Sequence, residues 1–282
     1  MKPKILLLDE PCKDAIGILE KEFELVRSWI IFEDISKYRE CVGIYVGLSN
    51  LSLHEIPKNL KFIGCPCTDI SHITKNTSSN KIKIIHLDQK WKDTEGRSVT
   101  STAEHTWSLI LQLAKLKRMQ LSGKTLGIIG YGRIGQQVSK YAESFNMDVV
   151  YYDDKSEQWD FYIDMNDYFY DVIEKSHIIT IHVPLNDETK GMIGKEQFDL
   201  MKDDALLINT SRPDIIDKYE LQKAIETKRI YYADDFLGWL PSYEEYNVIQ
   251  TPHIGGNCFE AREMTDIYIA NQLVKYIKGE CL

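Results

Sequence analysis

Several features that would point elsewhere are missing from these 282 residues. No apolar run is long enough to cross a bilayer, which excludes a helical membrane protein. Met1-Lys2-Pro3-Lys4 leads straight into the strand-like Ile5–Leu8, too short for the apolar core of a signal peptide. The expected location is therefore the cytoplasm. The six cysteines (12, 41, 65, 67, 258 and 281) are scattered and none forms C-x-x-C. In a reducing compartment that argues against a disulfide framework. Cys65 and Cys67 have no second pair at zinc spacing, so the reading gives them a structural role and assigns no metal. Positive charge is also short. A net charge of −9 argues against a nucleic-acid surface. There is no internal repeat and no low-complexity segment. Lys75–Lys81 (KNTSSNK) reads as a polar loop, too short for a linker.

What is present centres on Lys124–Gly135, KTLGIIGYGRIG. Thr125–Ile129 is an apolar run of β-formers and predicts a strand. Gly130, Gly132 and Gly135 then spell G-x-G-x-x-G, and Gln136–Phe145 predicts the following helix. The first glycine permits a tight turn and the second lets a pyrophosphate approach the backbone. The third lets helix and strand pack closely. The helix start offers N–H groups and partial positive charge to an anion. A second strand, Asp148–Tyr152, ends at Asp153, 18 residues past Gly135. A carboxylate there accepts hydrogen bonds from ribose hydroxyls and repels a 2′-phosphate. The expected ligand is a dinucleotide, with NAD ahead of NADP. The competing reading is an ordinary βαβ crossover whose glycines serve packing only.

Strands and helices alternate along the rest of the chain. Ile5–Leu8, Phe23–Val26, Gly43–Val46, Phe62–Cys65 and Ile82–Leu87 predict strands in the first third, with a helix at Cys12–Glu22. Ser101–Lys117 is the clearest helix, with apolar residues at helical spacing and Thr102 as its expected cap. After Asp153 come strands at Ile178–His182, Ala205–Asn209, Arg229–Ala233 and Val248–Gln250. Helices are expected near Asn166–Lys175, Lys195–Met201, Lys218–Thr227 and Glu260–Lys278. The pattern predicts an α/β protein with two parallel sheets. The expected domains are 1–98 plus 258–282, completed by the C-terminal helix, and 99–257, which holds the glycine motif.

Two polar clusters follow strands of the second half: Asn209-Thr210-Ser211-Arg212 and Thr251-Pro252-His253-Ile254-Gly255-Gly256. In open α/β sheets ligands lie beyond the carboxyl ends of strands. Arg212 there suits a carboxylate, through two parallel N–H···O bonds. His253 suits proton exchange with a carbonyl or hydroxyl oxygen. Taken singly, each is as well read as a surface ion pair or a structural histidine.

At this point the sequence resembles the D-isomer-specific 2-hydroxyacid dehydrogenases, which include phosphoglycerate dehydrogenase-like enzymes. The matching pieces run through most of the chain: STAEHTW from Ser101, GKTLGIIGYGRIG from Gly123, YYDD from Tyr151, HVPLNDETKGMI from His182, LLINTSR from Leu206 and TPHIGG from Thr251. The resemblance implies two Rossmann-like domains, a nicotinamide cofactor and a small 2-hydroxy or 2-oxo acid as substrate. It implies Arg212 as the carboxylate-binding arginine, His253 as acid/base and Asp235 as the aspartate facing the cofactor carboxamide. The backbone amides of Arg133 and Ile134 match those at the pyrophosphate. His182, Pro184 and Thr210 fall among the cofactor contacts, and Pro66-Cys67-Thr68 where such enzymes present a substrate loop.

Three departures stand out. The family usually has a glutamate five residues past the Asp235 position, paired with the histidine. Here that place holds Leu240. A neighbouring carboxylate favours the protonated imidazole by about one to three pKa units, so its loss leaves His253 less basic and less firmly oriented. Formate dehydrogenases of the family use an amide in this role. Glu244 and Glu245 follow closely but read as solvent-facing loop carboxylates. Secondly, Arg118–Ser122 bridges directly to Gly123 where a dimer-forming arm is usual, which leaves a homodimer without that arm. Thirdly, Pro213-Asp214 follows Arg212 where a glycine is usual, and proline fixes φ and removes an N–H. Two functions follow: an NAD-dependent 2-hydroxyacid dehydrogenase, or a catalytically weak homologue that binds NAD(H) as a sensor or interaction protein.

Overall fold

The computed structural model describes residues 1–28, 37–47, 49, 51–52, 59–70, 72–74, 82–154, 168–228, 230–241 and 247–280. The polar loop at Lys75–Lys81 and the carboxylates Glu244 and Glu245 lie outside them. The chain divides into two compact units, Met1–Ser98 with Phe259–Leu282, and Val99–Cys258.

In the first unit β1 (Lys4–Leu7), β2 (Glu24–Arg27), β3 (Cys41–Tyr45), β5 (Phe62–Cys65) and β7 (Lys83–His86) form a parallel sheet in the order β2-β1-β3-β5-β7. Two strands of two residues each, β4 (Leu51–Ser52) and β6 (Ile73–Thr74), pair separately. They are too short to leave a period in the sequence. Helix α1 (Lys13–Glu22) starts after Cys12, whose sulfur accepts from Ala15 N. Helix α2 (Gln89–Asp93), absent from the sequence reading, starts after Asp88, whose carboxylate accepts from Trp91 N at 3.0 Å. That bond satisfies one of the open donors of a helix start.

The last helix of the chain, Phe259–Lys278, packs into this unit. A Cβ on Gly64 of β5 would come within 2.7 Å of Leu273 and 3.1 Å of Ile269 on that helix, so only glycine allows this close approach. Asp266 is 1% exposed, and accepts from Tyr45 Oη at 2.6 Å and from the Cys12 backbone N–H at 2.7 Å. One carboxylate thus ties the C-terminal helix to a central strand and to the start of α1. Burial raises its pKa, against the hydrogen bonds that lower it.

In the second unit six parallel strands run in the order β13-β12-β11-β10-β8-β9. They are β8 (Thr125–Ile129), β9 (Asp148–Tyr152), β10 (Ile178–Ile181), β11 (Leu206–Asn209), β12 (Tyr231–Asp234) and β13 (Val248–Gln250). The connecting helices are α3 (Ser101–Leu116), α4 (Arg133–Ser144), α5 (Tyr168–Lys175), α6 (Lys195–Leu200) and α7 (Lys218–Lys228). Successive residues of a strand face opposite sides. Leu206 and Ile208 accordingly join one core with Leu126, Ile128 and Ile178, while Leu207 joins the other with Ile129, Ile179 and Ile181. Both faces are covered, which is why these strands read as unbroken apolar runs.

Most strand boundaries shift by one or two residues, and two helix starts differ from the sequence reading for a physical reason. Helix α3 begins after Thr100 rather than at a Thr102 cap. Thr102 lies inside the helix, where its carbonyl accepts from Thr106 Oγ1 at 2.8 Å. Helix α4 begins at Arg133, three residues before the expected Gln136, and so includes Gly135. Glycine costs about 1 kcal/mol in a helix interior, which made it look like a boundary.

Asp266→Ala should leave the Tyr45 hydroxyl and the Cys12 N–H without their acceptor. At about 1–3 kcal/mol for each buried unsatisfied group, it is expected to lower the stability of the first unit by about 2–6 kcal/mol. Denaturant unfolding followed at Trp91, the tryptophan packed against Tyr268 of the C-terminal helix, measures this. A change under about 0.5 kcal/mol, the scale of ordinary surface substitutions, would show that the helix is held by apolar packing alone.

Candidate active site

The ladder of the second sheet sets the site. Tyr152 pairs with Ile129, Ile129 with Ile181, Ile181 with Asn209, Asn209 with Asp234, and Asp234 with Gln250. All six strands therefore end in one row. The residues just beyond it are Asp153, Gly130, His182, Thr210, Asp235 and Thr251. Five of these six are sequence-predicted cofactor contacts, and the sixth opens the loop that carries His253.

The glycine turn is tight for identifiable reasons. A Cβ on Gly130, at φ +94°, would lie 2.7 Å from the backbone of His182 and Val183, and one on Gly135 would lie 2.2 Å from Gly130 O. Gly132 differs, since a Cβ there meets nothing within 4 Å. It caps α4 with no side-chain hydrogen bond, at φ −71°. Arg133, Ile134 and Gly135 supply the first amides of that helix. Asp153 Oδ2 accepts from the Tyr131 N–H at 2.6 Å, which fastens the turn to the end of β9. The Arg133 side chain runs back to the Val99 carbonyl, and burial lowers its pKa. His182 Nε2 is buried without a hydrogen-bond partner, and burial pushes the imidazole down to about 3. It is neutral at physiological pH and offers a hydrogen bond rather than a charge. Pro184 O accepts from Thr189 Oγ1 at 2.6 Å.

Thr210 and Arg212 follow β11. Thr210 Oγ1 is 2.9 Å from Thr106 Oγ1 on α3. Asn209 shapes the turn, its Oδ1 accepting from Ser211 N at 3.0 Å and its Nδ2 donating to Arg212 O at 2.8 Å. The half-buried Arg212 donates from Nη1 to Ser211 O at 2.6 Å. Pro213 opens a single 3-10 turn, Pro213–Ile215, where its fixed φ suits the first helical position.

Asp235, 4% exposed, is turned into the loop that carries His253. Oδ1 accepts from Thr251 Oγ1 at 2.6 Å and from Ile254 N at 2.9 Å, and Oδ2 from Gly255 N at 2.7 Å. His105 Nε2 of α3 lies 3.5 Å from Oδ1 and 2.9 Å from Thr251 Oγ1. Burial raises the pKa of Asp235, but the bonds from His105, Thr251, Gly255 and Ile254 together hold it below the ordinary value. The clamp holds the Thr251 hydroxyl before His253 and two backbone N–H groups after it; His253 itself sits at φ +55°, a conformation uncommon outside glycine. The His253 ring is exposed and meets Phe236 edge-on at 6.1 Å. Among the described residues no carboxylate pairs with it. Leu240 is 3% exposed and packs in the apolar core with Tyr232 and Ile193. The residue at the usual glutamate position is thus a core side chain here. His105 and Thr251 were missed by the sequence reading, because their roles depend on contacts some 146 positions apart.

In the first unit Pro66, Cys67 and Thr68 leave the carboxyl end of β5. Cys67 O accepts from Leu87 N at 3.2 Å. A hydrogen bond with Cys67, and then burial, push the Cys65 thiol well above its ordinary range.

Residues 94–255 match the family model described as D-isomer specific 2-hydroxyacid dehydrogenase, NAD binding domain. A D-3-phosphoglycerate dehydrogenase of Methanocaldococcus jannaschii is 31% identical over 309 residues, 98% of this chain and 58% of that protein. A glyoxylate reductase of Thermococcus litoralis is 30% identical over 331 residues, 99% of this chain and 95% of that one. The chain belongs to the D-isomer-specific 2-hydroxyacid dehydrogenase family. It spans little more than half the length of the first relative and nearly all of the second. A D-lactate dehydrogenase from Aquifex aeolicus, solved with NAD and lactic acid, shares the fold with a TM-score of 0.81 at 23% identity, covering 98% of this chain and 96% of that one. A Thermus thermophilus protein does so at 0.82 and 24%, covering 98% and 97%.

The second unit is thus the family's NAD-binding domain, and its residues fit that cofactor. Gly132 makes no side-chain bond to the start of α4 and leaves space above it, and among the described residues His182 Nε2 has no hydrogen-bond partner.

Asp235→Asn should loosen the His253 loop, costing about 1–3 kcal/mol at neutral pH for the donor left without an acceptor. Because the folded pKa is depressed, the stabilisation is fully present above about pH 5 and is lost as pH falls below about 4. Urea unfolding of wild type and variant across this range checks it. A difference that does not shrink in acid would show that the charge on Asp235 contributes nothing.

Proposed function

We propose that the chain is an NAD-dependent oxidoreductase acting at C2 of a small 2-hydroxy or 2-oxo acid. The observation carrying this reading is the single row of residues beyond the second sheet, with the Arg212 and His253 loops on either side of Asp235. When bound, NAD supplies or accepts the hydride. The amides of Arg133, Ile134 and Gly135 hold the pyrophosphate. Asp153 takes the ribose hydroxyls and disfavours a 2′-phosphate, so NAD is used rather than NADP. His182, Pro184 and Thr210 line the same edge. Arg212 grips the substrate carboxylate in a two-pronged bond and thereby sets C2 toward the nicotinamide. His253 gives a proton to the C2 oxygen during reduction and takes it back during oxidation. Asp235, with His105 and Thr251, positions the histidine through its backbone. Pro66, Cys67 and Thr68 serve as the substrate loop in a substrate-binding first unit. Arg118–Ser122 turns directly into β8, so any homodimer forms without an arm at that point.

One observation favours a second reading. His253 has no carboxylate partner among the described residues, as expected of a homologue that binds NAD(H) with little turnover.

One experiment tests the cofactor cradle that both readings share, and a second separates them. Gly132→Ala adds a methyl where the protein itself has room. It should leave the melting temperature unchanged while weakening NADH binding by about tenfold or more, one tenfold step being about 1.4 kcal/mol. Gly135→Ala should lower stability as well. Unaltered NADH affinity in Gly132→Ala would refute the cradle. In a panel of 2-oxo acids with NADH, His253→Ala should lower kcat by about 10²–10⁴, and Arg212→Ala should lower kcat/KM with NADH affinity intact. NADH binding without turnover of any 2-oxo acid would favour the sensor.

A further inference from the structure

A second group of reactive side chains lies in the first unit, sharing only Cys67 with the substrate loop of the dehydrogenase reading. Strand β5 ends at Cys65, and Cys67 follows two residues on, the spacing that returns an extended chain to the same face. His72 immediately precedes β6. Among the described residues, these three place one ligand atom each within 4.8 Å of one another. Cys65 Sγ is 3.6 Å from His72 Nε2. Tetrahedral zinc, with bonds of about 2.3 Å to sulfur and about 2.0 Å to nitrogen, sets those atoms about 3.5 Å apart. The pair therefore already stands at the separation a shared zinc ion imposes. Both sulfurs also converge on one carbonyl, Gly47 O, at 3.8 Å from Cys65 and 3.5 Å from Cys67. Asp9 holds the other side of the same residue, its Oδ2 accepting from Gly47 N at 2.6 Å.

We propose that Cys65, Cys67 and His72 bind one thiophilic divalent cation, zinc being the natural choice. Two thiolates and an imidazole select zinc over magnesium or calcium, which prefer oxygen. Cys65 is buried while Cys67 and His72 are half-buried, so an ion can reach the cluster from solvent. Three protein donors leave the fourth tetrahedral position to water. On binding, two S–H bonds give way to two Zn–S bonds, His72 contributes a lone pair, and two protons pass to solvent without any redox change. The ion would pin the end of β5 to the start of β6 across the Pro66–Thr68 segment. This proposal stands whether or not the chain is a dehydrogenase.

The test uses the full, reduced chain. Zn²⁺ titrated in competition with a chromophoric chelator should show one ion per chain. Co²⁺ in its place should give a thiolate charge-transfer band in the near ultraviolet and intense tetrahedral d–d bands. Loss of outer-shell partners alone weakens metal sites by about 10–100-fold, so C67S and H72Q, which remove direct ligands, should each cost more than tenfold. C258S should leave the affinity unchanged. Zinc should raise the melting temperature of wild type and not of H72Q. Equal zinc affinity in wild type, C67S and H72Q would overturn the site. So would a Co²⁺ spectrum of the wild type without thiolate bands, a measurement that does not depend on either variant folding.

Discussion

Everything assigned to the second unit depends on one constraint, the in-register parallel ladder that ends six strands in a single row. A strand slipped by one residue would send each apolar side chain into the opposite core, where close-packed neighbours of different shape leave no matching space. Because Leu206, Leu207 and Ile208 are all buried, between two filled faces, the register of β11 is fixed. With it are fixed the points at which the neighbouring loops emerge. The residues that follow need no long-range coding of their own. Placing a polar residue one step past each apolar run is enough to collect an aspartate, a glycine, a histidine, a threonine, a second aspartate and a second threonine along one edge.

This explains how much could be read from sequence. The fold class was legible because unbroken apolar strands alternating with helical periods admit few other architectures. The row of residues proposed to meet the cofactor was legible as a row because it follows from strand ends. What escaped reading were contacts that no local period encodes. Thr102 looked like a cap because a hydroxyl before an apolar helix often is one, yet the helix starts earlier, at Ser101. His105 looked like one residue of a helix, and only the fold brings it to Thr251 and Asp235. His72 lies beyond the spacing templates for paired cysteines, and it joins Cys65 and Cys67 only because the loop after β5 returns toward β6.

Leu240 shows the same limit from the other side. Sequence position aligns it with a glutamate, but position says nothing about where a side chain points. Here it enters the core with Tyr232 and Ile193, as an apolar side chain should. The orientation of His253 is supplied instead through the main chain. A buried carboxylate holds Thr251, Ile254 and Gly255, and the imidazole follows from the path of the loop. Asp235 thus sets the path of the loop and makes no hydrogen bond to the imidazole among the described residues.

The seat of Asp266 has a consequence for how the polypeptide is made. The anchor that joins Tyr45 and Cys12 to the closing helix is translated some two hundred positions after they are. During vectorial synthesis the N-terminal sheet emerges early but lacks its cover, while the whole Rossmann unit can complete itself first. The contacts that Asp266 makes to the N-terminal sheet therefore close only after the second unit has been synthesised. Until Phe259–Lys278 has been made, the flank around Gly64 lacks the helix that covers it, and its apolar strand faces solvent.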